Sequence, residues 1–165
     1  MIVIGQAVVR WVCEAAHADI TSKATAIGWM VDGKLVCGIV YDGYTGSSIA
    51  MHSRCDDPRR VSREWLFAIF DYPFNQLKVK RVSGLVSAAN LKAQKVNEHL
   101  GWKRETTLAD YFPDGDGIVY IMRREDCRWL GYTKRLVKGD DNATQSLHNA
   151  SGTSLQNPRS ETSDA

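Results

Sequence analysis

Four arginines between residues 54 and 63 are the densest group of chemically active side chains in the sequence. Arg59, Arg60 and Arg63 lie close together, with Ser62 among them. A guanidinium group binds phosphate through paired N–H donors, and a serine hydroxyl can donate beside it. The cluster therefore predicts a site for a phosphate-bearing ligand, with a solvated basic patch as the alternative.

Proton transfer is the second chemistry that single residues could carry. His52 has an intrinsic pKa near neutrality, which suits a base that accepts a proton directly or through a water molecule. Tyr111 and Tyr120 lie in the last predicted strand pair and could donate a proton to a leaving group. Structural roles are the alternative for all three side chains.

The cysteines are Cys13, Cys37, Cys55 and Cys127, and they form no CxxC pair. This spacing predicts neither a zinc site nor a disulfide framework, so reduced structural thiols are expected. Cys55 has no histidine and acid at a recognisable spacing, and we predict no nucleophilic role for it.

Composition limits the class of protein. A chain of 165 residues with 44% hydrophobic and 24% charged residues suits one compact globular domain. The net charge of +2 is too small for a strongly basic nucleic-acid binder. No apolar run reaches membrane-spanning length, so a soluble cytoplasmic protein is expected.

Apolar patterns and turn residues predict a strand, a helix and a three-stranded meander at the start of the chain. Asp32-Gly33 favours a two-residue hairpin turn, because both positions accept positive φ angles. The predicted elements are the strand Ile2–Ile4, the helix Ala7–Ala16, and the strands Ala24–Val31, Lys34–Tyr41 and Ser47–Ser53.

Asp57-Pro58 predicts the start of a long helix, since aspartate caps free amides and proline suits a first turn. The helix should break or kink at Pro73. The Asp57 carboxylate would lie over the amides that could bind a phosphate, and would compete with it. The strand Val79–Ser87 is expected next.

Another helix should begin at Asn90 and stop at Gly101, which tolerates the left-handed conformation of a helix end. Leu91, Val96 and Leu100 are predicted to face inward. Trp102 is expected to pack over the end of this helix at Gly101.

The last elements are a strand pair and a tail. Lys103–Tyr111 and Ile118–Arg124 should pair around a turn at residues 114–117. Residues 139–165 are rich in Ser, Asn, Thr and Asp, which predicts a polar, disordered tail after a domain of residues 1–138.

The order of these elements and the wording of three segments resemble the GNAT acyl-coenzyme A N-acyltransferases. DPRRVSREWLFAIFDYPFNQLKVKRV is similar to the central helix and following strand of that family. VSAANLKAQKVNEHLGWKRE is similar to its strand, Asn-started helix and Gly-aromatic end, and GDGIVYIMRREDCRWL to the last strand of the ribosomal-protein acetyltransferase branch. The match spans most of residues 24–130, and compact members also occur among bacteriophage proteins.

This resemblance implies an α/β fold with a mixed, mostly antiparallel sheet flanked by helices. It implies that acetyl-coenzyme A lies between two splayed strands, Ser47–Ser53 and Val79–Ser87, with its pyrophosphate at the helix that starts near Pro58. Asn90 would contact this cofactor or act only as a helix cap. The implied cofactor-binding residues are Arg59, Arg60, Ser62, Arg63, Val86, Asn90 and Ala93.

Three features depart from the family pattern. The cofactor loop, which is either residues 57–62 or residues 59–64, is degenerate, because residues 47–83 contain no glycine. Asn97 stands where many relatives have a tyrosine acid, and Ala50 where they often have a glutamate base. His52, on the same strand face as Ala50 by alternation, and Tyr111 are the catalytic candidates that this leaves.

Three functions stay open. The first is an N-acetyltransferase that moves acetyl from acetyl-coenzyme A to a primary amine, such as a protein N-terminus or a lysine. The second is a catalytically silent module of the same fold, for example a bacteriophage virion component whose C-terminal tail binds a protein assembly. Nucleic-acid binding through the arginine cluster is disfavoured, because Asp56, Asp57 and Glu64 lie among the arginines.

Overall fold

The protein is built around one seven-stranded sheet. The computed structural model describes residues 1–16 and 24–132, and every helix and strand named below lies in those ranges. The strands are β1 (Ile2–Ile4), β2 (Thr25–Val31), β3 (Lys34–Asp42), β4 (Ser48–Cys55), β5 (Arg81–Ser87), β6 (Lys103–Phe112) and β7 (Gly115–Arg123). The helices are α1 (Gln6–Ala16), α2 (Arg63–Asp71) and α3 (Leu91–Leu100). The predicted boundary at residue 138 and the polar tail lie outside the described residues.

The strands are arranged in the order β1-β2-β3-β4-β5-β7-β6. Neighbouring strands are antiparallel except β4 and β5, which run parallel. A parallel pair needs a crossover, and α2 supplies it between β4 and β5. The mixed, mostly antiparallel sheet flanked by helices is the predicted fold class.

The hairpin between β2 and β3 forms as predicted. Asp32 and Gly33 have φ angles of 51° and 74°, and the flanking residues Val31 and Lys34 are paired. Two consecutive positive φ angles match the right-handed twist of the strands, which is why this dipeptide turns the chain at this point.

Helix α1 packs on one face of the sheet, over β2 and β3. Its Val8 and Val12 are buried together with Val40 of β3. Gly28 and Gly38 let the helix approach, since a Cβ on Gly38 would lie 2.8 Å from a methyl group of Val12.

Helix α2 covers the other face and fills the larger core. Its buried side chains are Trp65, Leu66, Ala68, Ile69 and Phe70. The hydroxyl of buried Tyr41 donates to the carbonyl of Ile69 at 2.7 Å, which ties the helix to β3. The helix ends in a π-helical turn that contains Pro73, where a break was predicted. None of the described helices is both long and apolar enough to cross a membrane.

The prediction of the inward face of α3 was wrong. Leu91 and Val96 are 64% and 44% exposed, and only Leu100 of the three packs against the core. The half-buried positions are instead Ala93, Gln94, Asn97 and Leu100. The amide of Gln94 donates to the carbonyl of Ala88 at 2.8 Å, so a polar contact orients this helix.

The predicted end of α3 is confirmed. Gly101 has a φ of 101° in the left-handed region, and its N–H bonds to carbonyls of the last helical turn. Trp102 is 8% exposed and packs in the larger core. Its ring lies 6.2 Å from that of Phe70, so it joins the end of α3 to α2.

The last hairpin turns earlier than predicted. Phe112 pairs with Gly115, which makes Pro113 and Asp114 the two turn residues, and β7 already includes the predicted turn positions after Asp114. Proline presets the φ angle that the first position of a type I or II turn needs, and Gly115 then takes a positive φ of 129°.

Two of the four cysteines are not reduced thiols, contrary to the prediction. Cys37 of β3 and Cys55 of β4 are directly opposite in the strand pairing and form a disulfide. Their separation of 18 residues carries no recognisable motif, because strand pairing brings them together. Cys13 and Cys127 are free. In the described ranges, no three His, Cys, Asp or Glu side chains are arranged to hold a metal ion.

We expect Gly38→Ala to destabilise the fold by roughly 1–3 kcal/mol, because the added methyl group would push α1 off the sheet. Urea unfolding followed by circular dichroism would measure the loss. Gly131→Ala is the control, since no atom lies within 4 Å of its Cβ position. Equal stabilities of the two variants would contradict this account of the α1 packing.

Candidate functional site

The central parallel strands, β4 and β5, stay together over only three residue pairs. Residues 48–50 of β4 pair with residues 81–83 of β5, and no pairing between the two strands follows. At the closed end, the N–H of Lys80 donates to the carbonyl of Ser47 at 2.8 Å. The strands part from Met51 and Gly84 onward, and we call the space between residues 51–55 and 84–87 the split.

The two walls of the split keep their outer partners. Residues 51–55 remain paired with β3, and residues 84–87 remain paired with β7. Their inner edges face each other without forming a ladder, so the N–H and C=O groups there need other partners. An extended ligand with amide groups can supply them in the manner of an added strand.

Two helices begin at the open end of the split. Helix α2 follows β4 and helix α3 follows β5, and parallel strands have their carboxyl ends at the same edge of a sheet. The free amides and the dipole of a helix N-terminus favour a negative charge. The open end therefore suits the anionic part of a ligand whose extended part lies in the split.

The predicted helix start near Pro58 was wrong. Residues 58–60 form one 3-10 turn, capped by the Asp57 carboxylate, which accepts from the N–H of Arg59 at 3.2 Å. Val61 and Ser62 then have extended backbone, and α2 begins only at Arg63. The cap of α2 is the neutral hydroxyl of Ser62, so the Asp57 carboxylate does not lie over the amides of this helix.

The three loop arginines have different surroundings. Arg59 pairs with Asp57 at 3.0 Å, and Arg60 pairs with Asp32 at 2.8 Å. Arg63 is exposed at the first position of α2 and makes no ion pair within the described residues. Two of the predicted phosphate ligands are thus engaged, and Arg63 is the cation that the loop leaves available.

Three of the other predicted residues lie on the β5 side of the split. Asn90 caps α3, with its side-chain oxygen accepting from the N–H of Ala93 at 3.0 Å. Val86 belongs to the part of β5 that is paired with β7 but not with β4, and it is half-buried. These residues lie on or after β5, as Ser62 and Arg63 follow β4, and the two parallel strands end at the same edge of the sheet.

His52 lies on the β4 wall of the split. Its register partner is Val40, which belongs to the core under α1, so the imidazole is on the α1 face of the sheet together with Ala50. Burial lowers the pKa of His52, and the negative charge of Asp42 partly opposes that shift. The imidazole is therefore neutral at physiological pH and able to accept a proton.

The tyrosine candidates differ in position. Tyr111 is 54% exposed on β6, and β7 separates that strand from the split. Tyr120 is buried on β7 opposite Gly84, and its hydroxyl donates to a carboxylate oxygen of Glu98 at 3.2 Å. Burial and this carboxylate raise the pKa of Tyr120. Asn97, half-buried on α3, occupies the position where the resemblance places a tyrosine.

Two features of the site were missed from the sequence. Gly84 lies where the split opens, and a Cβ there would be 3.6 Å from the carbonyl oxygen of Met51 and 3.8 Å from the Trp102 ring. A glycine inside a strand pattern is a signal for close approach of another backbone or a ligand. The buried indole N–H of Trp65, in the first turn of α2, lacks a hydrogen-bond partner in the described part of the chain.

Comparisons with known proteins identify the fold. The spermidine N-acetyltransferase of Vibrio cholerae is 11% identical, with a TM-score of 0.62 over 76% of this chain and 94% of that chain. The ribosomal-protein-S5-alanine acetyltransferase of Vibrio fischeri is 18% identical, with a TM-score of 0.53 over 72% of this chain and 69% of that chain. A GNAT-family acetyltransferase of Bacillus anthracis is 20% identical, with a TM-score of 0.51 over 62% of this chain and 67% of that chain.

The described residues thus have the GNAT acyltransferase fold. At these identities the likeness concerns the fold, and the ribosomal-protein branch and the bacteriophage origin stay predictions. No protein-family model matches the sequence, and no curated protein sequence matches it.

We expect the protonation of His52 to lower the free energy of unfolding in acid. Because its pKa is lowered in the folded state, the unfolded chain binds the proton more readily, and stability falls as the pH drops below the ordinary histidine pKa of about 6.5. His52→Gln should lose less stability than the natural protein between pH 8 and pH 5.5 in urea unfolding. If both proteins lose the same stability between pH 8 and pH 5.5, His52 does not contribute to this acid sensitivity.

Proposed function

We propose that this protein is an N-acetyltransferase that binds acetyl-coenzyme A in the split and transfers the acetyl group to a primary amine. The observation that supports this most is the loss of pairing between β4 and β5 after Ala50 and Ser83. It leaves two inner strand edges, and the pantetheine arm of coenzyme A carries amides that can bond to such edges.

The residues around the split fit that ligand. Gly84 leaves room at the start of the opening, where a side chain would otherwise stand between Met51 and Trp102. The N-termini of α2 and α3, together with the side chain of Arg63, would hold the pyrophosphate. The indole N–H of Trp65, which has no hydrogen-bond partner among residues 1–16 and 24–132, would be a further donor near the start of α2.

Acetyl-coenzyme A, when bound, would supply a thioester: the carbon–sulfur bond would break as the amine nitrogen bonds to the acetyl carbon, and coenzyme A would leave as its thiol. The protein's own task is to orient that amine and to remove the proton of its ammonium form. His52 lies on the β4 wall with a lowered pKa, so its neutral imidazole can accept this proton directly or through a water molecule. Tyr120 keeps its proton at neutral pH, since its pKa is raised and its hydroxyl bonds to Glu98.

A catalytically silent role is the second candidate, and two observations favour it. Asn97 supplies no acid on α3, and the cofactor loop pairs Arg59 and Arg60 with carboxylates of the protein itself. Such a protein would serve as a structural or interaction module. The proposed contact through the C-terminal tail falls on residues outside the described ranges. A place in a virion rests on the resemblance alone.

A titration with acetyl-coenzyme A separates these candidates. If the split binds the ligand, the melting temperature should rise with ligand concentration and saturate, because binding to the folded state stabilises it. Free thiol release should then be assayed with spermidine and with a peptide bearing an N-terminal alanine, two acceptor classes suggested by the fold neighbours. Binding without thiol release would favour the silent module, and no stabilisation at millimolar ligand would refute the proposed function.

We expect Asn90→Asp to weaken coenzyme A binding about tenfold, because it keeps the cap on Ala93 but adds a negative charge beside the pyrophosphate. Isothermal calorimetry would measure the change. Asn90→Ser is the control, since serine also caps a helix and adds no charge. Equal affinities of the aspartate and serine variants would remove Asn90 from the site.

A further inference from the structure

The Asp57 carboxylate is the centre of a small ion-pair network in the cofactor loop. Its Oδ1 atom accepts from the backbone N–H of Arg59 at 3.2 Å and from Nε of the same residue at 3.0 Å. Its Oδ2 atom lies 3.6 Å from Nε of Arg60. One internal carboxylate thus contacts two of the three arginines that the sequence assigns to phosphate.

The second half of the network holds Arg60 away from the split. Its Nη1 donates to Asp32 in the β2–β3 turn at 2.8 Å, and its carbonyl accepts from the indole N–H of Trp29 at 3.0 Å. Both partners belong to the side of β4 that is opposite to β5. A ligand in the split therefore meets a loop whose second arginine is anchored to the neighbouring hairpin.

The charges of this network cancel. Two guanidinium groups face two carboxylates, and hydrogen bonding from Arg59 lowers the pKa of Asp57, which keeps that carboxylate ionised at neutral pH. An added phosphate would find little net positive potential from Arg59 or Arg60 while these pairs persist.

We infer that Asp57 is an internal anion that competes with the phosphates of coenzyme A for Arg59 and Arg60, and so sets the affinity of the site. This inference rests on the proposed function and deepens it. The pairs can open, because Arg59 is 90% and Arg60 46% exposed, and exposed ion pairs are weak. Cofactor binding and release of the two arginines from Asp57 are therefore coupled.

Asp57→Asn tests this coupling, because asparagine can still cap the 3-10 turn while the competing charge is gone. Calorimetry at low salt should show coenzyme A and inorganic pyrophosphate binding about three to ten times more tightly than to the natural protein. The gain should shrink as salt is added.

The control is Asp56→Asn, which makes the same change of net charge one residue away. Asp56 pairs with Arg54 at 3.0 Å, and Arg54 also donates to the carbonyl of Trp11 on α1. This variant should change the affinity less than twofold. Equal gains in both variants would reduce the effect to net charge and overturn the inference.

The remaining outcomes separate the inference from the proposed function. If the natural protein binds coenzyme A and Asp57→Asn binds it no more tightly, the inference is overturned and the function stands. If neither binds coenzyme A but Asp57→Asn binds pyrophosphate more tightly, the function falls and the competing role of Asp57 stands. If neither binds either probe, both are overturned.

Discussion

Backbone hydrogen bonding between β4 and β5 ends after three residue pairs, and the candidate site depends on that interruption. Each strand keeps its outer neighbour, so the sheet holds together while its centre presents two unsatisfied edges. Such edges cost free energy unless water or a ligand bonds to them. Because the strands are parallel, both also lead into helices at the same end. Hydrogen-bonding edges and helix N-termini therefore border one space.

Aromatic packing supports this opening from the core. Trp102 follows the end of α3, packs beside Phe70 of α2, and lies next to the glycine position on the floor of the split. It therefore touches elements from both sides of the opening. On the opposite face, α1 lies against the glycines of β2 and β3, and the side chain of Arg54 on β4 donates to the carbonyl of its Trp11. The split is thus held by packing that involves none of the proposed ligand-binding arginines.

Features that depend on the backbone preference of a single residue could be predicted from the sequence. Features that depend on which distant residues pack together could not. The turn at Asp32-Gly33, the cap at Asn90 and the stop at Gly101 follow from the backbone preferences of those residues. The exposure of Leu91 does not, because apolar periodicity says nothing about which neighbour will cover a helix face. At the other end of α3, the contact comes from a residue distant in sequence, because the indole N–H of Trp129 donates to the carbonyl of Leu100 at 2.9 Å.

The site was only partly predictable, because ligand binding and proton transfer depend on different parts of the fold. The proposed binding of the ligand comes mainly from main-chain groups. Any sequence retains these groups as long as β4 and β5 part and α2 and α3 begin at the same positions. Proton transfer instead needs particular side chains at particular positions. Here α3 carries Asn97 where the resemblance places a tyrosine, and the hydroxyl of Tyr120 is bonded to Glu98 of the same helix. A fold of this kind can therefore change its acid and base without losing its binding geometry. The charge on the cofactor loop does depend on side chains: Asp57 pairs with Arg59 and Arg60, and Arg63 makes no ion pair among the described residues.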